Sequence, residues 1–386
     1  MIANDIESQL DTFETKINIK TLSEMSGVAE ATIRRILKRN HETNFLNLYL
    51  ICNILFDDDT LIRWSYSFEL PNNMKAAMEF MLLKNKLDDL DKYIRTKVSK
   101  WDNKSAKKWA KVYSIISEYE RNPTDHLKTL KKIRGISGSD KELEILLKLV
   151  EANIFYRIVA DNSSYLHEMS RLLFEIKDHI GNTKDFLYEA FSCRLNDLMS
   201  KNLLYVKSDV NKARQYAKKN IYQNICPLFK ANALYLIGVS NMFESYEICL
   251  QYTKKAIDTY RVAGHDKYAN DLERSAVPLI KAHFGVKYDE ETKDLSEIAH
   301  YEAKWGDKQK SKKIINKLIE DSGETMYRLY YKGMAEENEE ALFKSLTQFL
   351  KIGDNFFAQF PLNQLRRSSN TNMRTMAEML YTQFIN

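Results

Sequence analysis

Glycine and proline are scarce. The 386-residue chain holds 11 Gly and 5 Pro, about 4% together against a usual ~12%. Sandwiches, barrels and doubly wound sheets need those residues at many turns, so their scarcity excludes such folds and leaves helices joined by short, plain connections. Long apolar runs are missing too: nothing approaches the ~18 uninterrupted apolar residues of a membrane-spanning helix, and no membrane partner is expected. The start, Met1-Ile2-Ala3-Asn4-Asp5-Ile6-Glu7, has neither the basic opening nor the apolar run of a secretory signal, which predicts a chain that stays in the cytoplasm where it is made. Cys52, Cys193, Cys226 and Cys249 are widely spaced, with no Cys-x-x-Cys and no His-x₃-His nearby. That pattern predicts reduced, mostly buried thiols and no zinc site.

Catalytic signatures are absent as well. The histidines fall at 41, 126, 167, 179, 265, 283 and 300, with no second His at metal-ligand spacing. There is no His-Glu-x-x-His, Gly-x-Ser-x-Gly or phosphate-binding Gly-x-x-x-x-Gly-Lys-Ser/Thr. Asp88-Asp89 and Glu290-Glu291 read as solvated helix ends, and His300, beside a Tyr, as a packed or surface side chain. No catalytic residue, cofactor or metal is expected; the chain is a binder.

What is present begins with charge and hydrophobicity in ordinary proportion: 44% hydrophobic and 29% charged residues, with a net charge of +5. A real core is affordable, disorder is excluded, and a chain of this length suggests two domains. The mild basicity permits a nucleic-acid partner without demonstrating one.

The most specific segment is Thr21-Leu-Ser-Glu-Met-Ser-Gly-Val-Ala-Glu-Ala-Thr-Ile-Arg-Arg-Ile-Leu37. Thr21 and Glu24 have the spacing of a capping box, predicting a helix from Thr21. Gly27 stops it, and a second helix runs from about Ala29 to Arg39. Leu22, Met25, Val28, Ile33 and Ile36 then make one apolar wedge, the requirement of a helix-turn-helix. The outward face of the second helix carries Glu30, Ala31, Thr32, Arg34, Arg35 and Lys38. Arg there can grip guanine edges and Thr or Ala can touch a thymine methyl, so Glu30, Thr32, Arg34, Arg35 and Lys38 are the candidate contacts to double-stranded DNA. Between Lys16 and Asn40 six basic residues face two acidic ones. Asn44–Leu55 is a further helix closing this bundle. Asp57-Asp58-Asp59 and Pro71-Asn72-Asn73 are polar breaks with a hinge between them.

The remainder shows self-similarity. Ala213-Arg-Gln-Tyr216-Ala-Lys-Lys-Asn220 recurs 36 residues later as Cys249-Leu-Gln-Tyr252-Thr-Lys-Lys-Ala256, preceded by Leu234, Ile237, Gly238 and Tyr246. Tyr331-Lys-Gly333 with Ser345, Phe349 and Ile352 has tetratricopeptide spacings, and Ala299-His-Tyr-Glu-Ala303 with Gly306, Ser311 and Ile315 is a looser copy. Small residues at these places let paired helices approach closely, and aromatics fill the gap to the next pair. From Lys75 to Ser200 helical hairpins are expected, with Trp109–Tyr113 and Leu146–Val150 buried. At the end of the sequence, Met373, Met376, Met379, Leu380, Phe384 and Ile385 form an apolar stripe suited to dimerisation or to an intramolecular lid; a helix-turn-helix that reads two half-sites favours the dimer. The expected fold is all-α: an N-terminal helix-turn-helix bundle (1–60), a hinge (61–75), a tetratricopeptide-like right-handed superhelix (76–372) and a capping or dimerisation helix (373–386).

This combination resembles the peptide-pheromone receptors of Gram-positive bacteria and their phages, and within them the AimR family of arbitrium receptors of temperate Bacillus phages. The resemblance rests on Trp109-Ala-Lys-Val-Tyr113, Tyr235-Leu-Ile-Gly238, Ala299-His300, Tyr330-Tyr-Lys-Gly333 and Asp354-Asn-Phe356 followed by Phe360-Pro361-Leu362. It implies a homodimeric transcription regulator on a palindromic operator, released when a peptide of about six residues enters the superhelix, in the lysis–lysogeny decision. It further implies peptide contacts at Asn202, Glu297, Asp354 and Phe356. Leu228, Val206 and Val239 depart from relatives with Arg, Asn and Asn; Lys230 is a candidate substitute for the missing Arg clamp. A rival reading is a tetratricopeptide regulator that sequesters a protein partner through its N-terminal bundle under peptide control.

Overall fold

The computed structural model describes residues 1–12, 17–39, 42–101, 104–138, 140–158, 164–180, 184–223, 225–288 and 292–385. Lys16, Asn40, His41, Glu290 and Glu291 lie outside the described residues. Among the described residues there is no strand, and no helix is long and apolar enough to cross a membrane. The chain forms two compact units, Met1–Glu151 with Asp178–Ser192, and Ala152–Lys177 with Cys193–Asn386.

The first unit opens with α1 (Ile2–Thr12), α2 (Ile19–Ser26), α3 (Glu30–Arg39) and α4 (Phe45–Leu55). Asn18, rather than Thr21, caps α2: its side chain accepts the Thr21 N–H at 2.9 Å. Asn is among the best N-cap residues, and Ile17 and Leu22, at the staple positions either side of it, are both buried. Gly27 ends α2 with φ +71°, its N–H bonded to the Ser23 carbonyl at 2.9 Å. Leu22, Val28, Ile33 and Ile36 form the wedge as expected, but Met25 is 57% exposed. The inward stripe of α2 runs through positions 22 and 26, one helical turn apart; Ser26 is buried there, its hydroxyl donating to the Leu22 carbonyl.

The polar breaks are helix starts. Asp57 caps α5 (Asp58–Ser65), accepting the Thr60 N–H at 2.9 Å, and the following acids suit the positive end of a helix. Pro71 opens α6 (Pro71–Leu83), where its missing N–H costs nothing. Asn73 is buried and donates to Glu42 Oε1 and the Thr43 carbonyl, both at 2.7 Å. Residues 61–75, the expected hinge, are therefore largely helical, with Leu61, Trp64 and Phe68 in the core. The unit continues through α7 (Leu87–Thr96), a short 3₁₀ turn (Val98–Lys100), α8 (Lys104–Arg121), α9 (His126–Arg134) and α10 (Lys141–Ile158), whose last residues fall in the second unit. Trp109 and Tyr113 are fully buried.

The second unit is a helical array: α11 (Ser164–His179, its last two residues in the first unit), α12 (Phe186–Lys201, its residues up to Ser192 in the first unit), a π-helical turn (Asn202–Val206), α13 (Val210–Ile221), α14 (Pro227–Val239), α15 (Tyr246–Val262), α16 (Asp266–Asp271), a second π-helical turn (Leu272–Ala276), α17 (Val277–His283), α18 (Leu295–Trp305), α19 (Lys308–Ser322), α20 (Met326–Glu336), α21 (Glu339–Lys351), α22 (Gln359–Leu365) and α23 (Thr371–Ile385). From α17 onward each helix packs on its successor, and α18 with α20, α20 with α22 and α21 with α23 also meet. That pattern is the helix-hairpin stack of a tetratricopeptide-like array. The small residues act as their spacing predicts. A Cβ on Gly238 would meet Thr253 Oγ1 at 2.8 Å and the Cys249 carbonyl at 2.9 Å, and one on Gly333 would meet Leu342 Cγ at 2.6 Å. Ser311 Oγ donates to the Ala299 carbonyl at 2.8 Å and Ser345 Oγ to that of Met326 at 2.7 Å. All four cysteines are buried thiols outside any disulfide.

One contact joins distant parts of this unit. The Asn355 N–H donates to the Tyr205 carbonyl at 2.7 Å, and Asn355 Nδ2 donates to the Val206 carbonyl at 2.5 Å and that of Phe384 at 3.3 Å. Tyr381 OH donates to the Asn355 carbonyl at 3.2 Å. Gly353, at φ +72°, allows the approach: a Cβ there would collide with Leu166 of α11. The 353–356 segment thus clasps α11, the first π-helical turn and α23.

Candidate functional site

The head presents its polar face on α3. Ile33 and Ile36 point inward and are buried; Arg34, Arg35 and Lys38 are exposed, and Glu30 and Thr32 are half-buried. Arg34 Nη2 sits 3.4 Å from Glu30 Oε2 and Arg35 Nη2 donates to Thr32 Oγ1 at 3.2 Å. Both are one-turn contacts between solvated side chains, each worth about 0.5 kcal/mol or less, so neither holds its arginine against a stronger anion. All five predicted residues fall on this one short helix.

The array holds a different kind of surface. Tyr156 on α10, Tyr205 in the π-helical turn, Tyr235 on α14 and Tyr327 on α20 keep part of their surface accessible. Burial nevertheless pushes each phenol well above its ordinary range, and in all four the Asp354 carboxyl adds to the shift. The four phenols are partly accessible yet shifted by burial, and Asp354 is the charge they share, so they form one cluster about its carboxyl. Asp354 is itself half-buried, accepts the Phe357 N–H at 3.0 Å, and is raised by burial from 3.8 to about 7. A polar chain extends from the same cluster: Lys201 Nζ lies 2.7 Å from Asp197 Oδ2 and 5.2 Å from the centre of the Tyr156 ring. Asn232 Nδ2 donates to Asp197 Oδ1 at 3.0 Å, and the Tyr260 hydroxyl donates to Asn232 Oδ1.

The predicted residues divide around this cluster. Asn202 is buried at the start of the π-helical turn and accepts from Ser170 Oγ at 3.1 Å. Phe356 is buried with its ring 5.2 Å from that of Phe243. Through the Asn355 clasp, Asn202, Asp354 and Phe356 belong to one locality. Glu297 on α18 is buried and held within the protein: the Tyr331 hydroxyl donates to Oε1 at 2.7 Å and His300 Nδ1 lies 2.9 Å from Oε2. Burial raises Glu297 from 4.5 to about 8, with the Tyr331 hydrogen bond opposing. His300 packs, as expected, stacked on Tyr331 with centroids 4.4 Å apart. Burial takes His300 well below its usual range; it also brings His283 down to about 2, with the Lys304 charge assisting.

Lys230 is half-exposed on α14. It stands two residues from Asn232, roughly 200° around the helix, on a different face from Asn232 and Tyr235. Lys201 is a cation that does lie beside these phenols, on the Tyr156 ring, and sequence reasoning missed it together with Asp197, Tyr156 and Tyr205. Asn196, Asp197, Ser200 and Asn202 are polar residues buried along α12 or just after it. Among the described residues no His, Cys, Asp and Glu group could hold a metal.

A helix-turn-helix head on a chain that continues into a tetratricopeptide-like array with a half-buried polar cluster defines the class of helix-turn-helix, helical-repeat proteins. The AimR transcriptional regulator-like family matches residues 59–367, and the chain belongs to that family. The AimR transcriptional regulator of Bacillus phage phi3T is 24% identical over 330 residues, covering 83% of this chain and 85% of that protein. That of Bacillus phage SPbeta is 21% identical over 274 residues, 69% of each. In fold, the chain is similar to selenomethionine phAimR, with a TM-score of 0.72 at 18% identity over 99% of this chain and 100% of that one. A ligand-bound phAimR structure gives 0.65 at 20% identity, over 85% and 98%. These relatives are regulators of transcription, not enzymes.

Proposed function

We propose that this chain is a peptide-responsive, DNA-binding transcription regulator of the phage lysis–lysogeny decision, acting in the bacterial host's cytoplasm. In this reading α3 reads a palindromic operator through Glu30, Thr32, Arg34, Arg35 and Lys38, with phosphate attraction supplying most of the affinity. A peptide of about six residues binds beside Asp354, where Asn202, Phe356 and Glu297 shape its seat. Lys201, already desolvated on one side by the Tyr156 ring, takes over the part assigned to Lys230. Two copies pair through α23, whose Met376, Met379 and Phe384 remain exposed; pairing sets the distance between two heads, and half-site spacing is strict. Peptide occupancy changes that distance and so the hold on DNA.

The observation that carries the reading is a cluster: four partly accessible phenols shifted upward by burial around one carboxyl, with a lysine–aspartate pair alongside. Such a surface suits a short peptide, whose amides and charges need partners where water is scarce. The test is a titration of candidate hexapeptides against the full chain, following the melting point, duplex retention and dimer size together. A ligand should raise the melting point by mass action and alter duplex retention or dimer size. A peptide that binds tightly and changes neither of those two overturns the coupling.

A further inference from the structure

Positive charge in this chain is concentrated outside the head helix. Between Lys92 and Arg134 stand thirteen Lys and Arg against four Asp and Glu, a surplus of nine where the whole chain carries +5. Its centre is the start of α8, where Lys104, Lys107, Lys108 and Lys111 recur at helical spacing on one face. The opposite face, Trp109, Val112, Tyr113 and Ile116, is buried. Lys100 precedes the helix, and Lys131 extends the patch from the last turn of α9. These two helices pack together, and Lys108 Nζ reaches the Ser137 carbonyl beyond α9 at 3.1 Å. No carboxylate among the described residues pairs with Lys100, Lys104, Lys111 or Lys131.

Helix energetics do not favour this arrangement. The first turn of α8 contains no acidic residue, and a helix N-terminus is the positive end of the macrodipole, where each cation is unfavourable. Lys104 with Lys108, and Lys107 with Lys111, are like-charge pairs one turn apart, which destabilise a helix further. By contrast the cations of α9 near its C-terminus are favourably placed, and two of them are paired, Lys132 with Glu118 and Arg134 with Glu151. Lys104, held against the helix dipole, and Lys111, repelled by Lys107 one turn away, are unmatched by any carboxylate among the described residues and mark a site for an external polyanion.

We propose that the lysine face at the start of α8, with Lys100 and Lys131, is a second DNA contact, gripping the phosphate backbone of duplex without reading sequence. The choice of duplex rests on the DNA-binding reading above, because the patch belongs to the same compact unit as the helix-turn-helix. Arginines able to read bases stand on α3; lysines, which act as point charges, stand here.

The test uses the full chain and a labelled random-sequence duplex of about 40 base pairs, so that only backbone contacts count. K104Q/K111Q/K131Q should weaken binding about tenfold or more at low salt and make the salt slope shallower by about 2 to 3, near 0.9 for each phosphate no longer neutralised. Its melting point should be unchanged or higher, because repulsion at the helix start is relieved; a structural role would lower it. R34A/R35A should retain this salt-sensitive component while losing discrimination between duplex sequences. If the wild type binds duplex but the triple variant binds with the same affinity and slope, the second contact is overturned and the head reading stands. If the wild type binds no duplex, both fall. Loss of binding to anionic vesicles but not to duplex also overturns it, in favour of a membrane surface.

Discussion

The face of α3 and the interior of the array handle charge in opposite ways. On the head, Arg34, Arg35 and Lys38 are exposed, and the two arginines make weak one-turn contacts. In the array, Asp354, Glu297, His283 and Lys304 are largely withdrawn from water, and burial has moved each toward its neutral form. Exposed cations act at a distance on a polyanion and are screened by salt. Desolvated groups act only at contact, but each contact is stronger because no water competes. The comparison teaches that charge changes on the head should alter binding and not stability, whereas changes in the array should alter stability as well.

The sharpest break would come from Arg34→Ala with Arg35→Ala. Affinity for a preferred duplex sequence should fall about a hundredfold, toward the sequence-blind level that the variant keeps, while unfolding free energy stays within about 0.5 kcal/mol of wild type; titration and denaturant melts read the two quantities separately. Next comes the array, where Gly333→Val drives side-chain atoms into Leu342 and the Asn338 carbonyl. We expect a loss of about 2–3 kcal/mol, visible in the same melts, and a neutral outcome would mean the hairpins are not closely packed. Glu297→Ala should cost about 2 kcal/mol by stranding Tyr331 and His300 without their acceptor. Glu297→Gln should cost under about 1 kcal/mol, since its amide oxygen still accepts from Tyr331; equal losses would show that charge, not hydrogen bonding, holds this site.

The smallest effect sharpens the comparison through pH. Asp354 is raised from 3.8 to about 7, so between those values the folded chain binds more protons there than the unfolded one, and stability falls as pH rises across the window. His283 and His300, both depressed, act in the opposite sense: the unfolded chain gains protons there below about 6.5, the ordinary histidine value, and acid destabilises. Comparing wild type with Asp354→Asn isolates the first contribution. The variant's melting point should gain on wild type from about pH 4 to 7 and hold that lead above. A difference that does not vary with pH would place Asp354 in ordinary water.

Much of this was legible in the residues. Gly27, with Leu22, Val28, Ile33 and Ile36, specified the head because a short helix, a left-handed stop and a recurring apolar wedge are local facts. Gly238 and Gly333 were legible for the same reason: their spacing to the next helix is fixed by the hairpin. Errors came where two local signals competed. Asn18 and Thr21 both suit a cap and the better placed one wins; three aspartates look like a break until Asp57 is seen to start a helix. Met25 was misassigned because an eight-residue helix can present either position 25 or 26 inward. The Asp354 cluster was only partly legible. Asp354, Asn202 and Phe356 entered through family likeness, whereas Tyr156, Lys201 and Tyr205 come from helices with no repeat identity. Distant pairing brings them together, and no periodicity records it.

That pairing has a consequence for biosynthesis. The amide of Asn355 closes onto carbonyls of the 202–206 turn, a link across 149 positions. Hairpins such as α14–α15 can form as they leave the ribosome, since their partners are adjacent. The Asp354 cluster has to wait until 355 and 381 have emerged. Until then its tyrosines are open to water, so a nascent chain should carry a finished head well before it can sense anything.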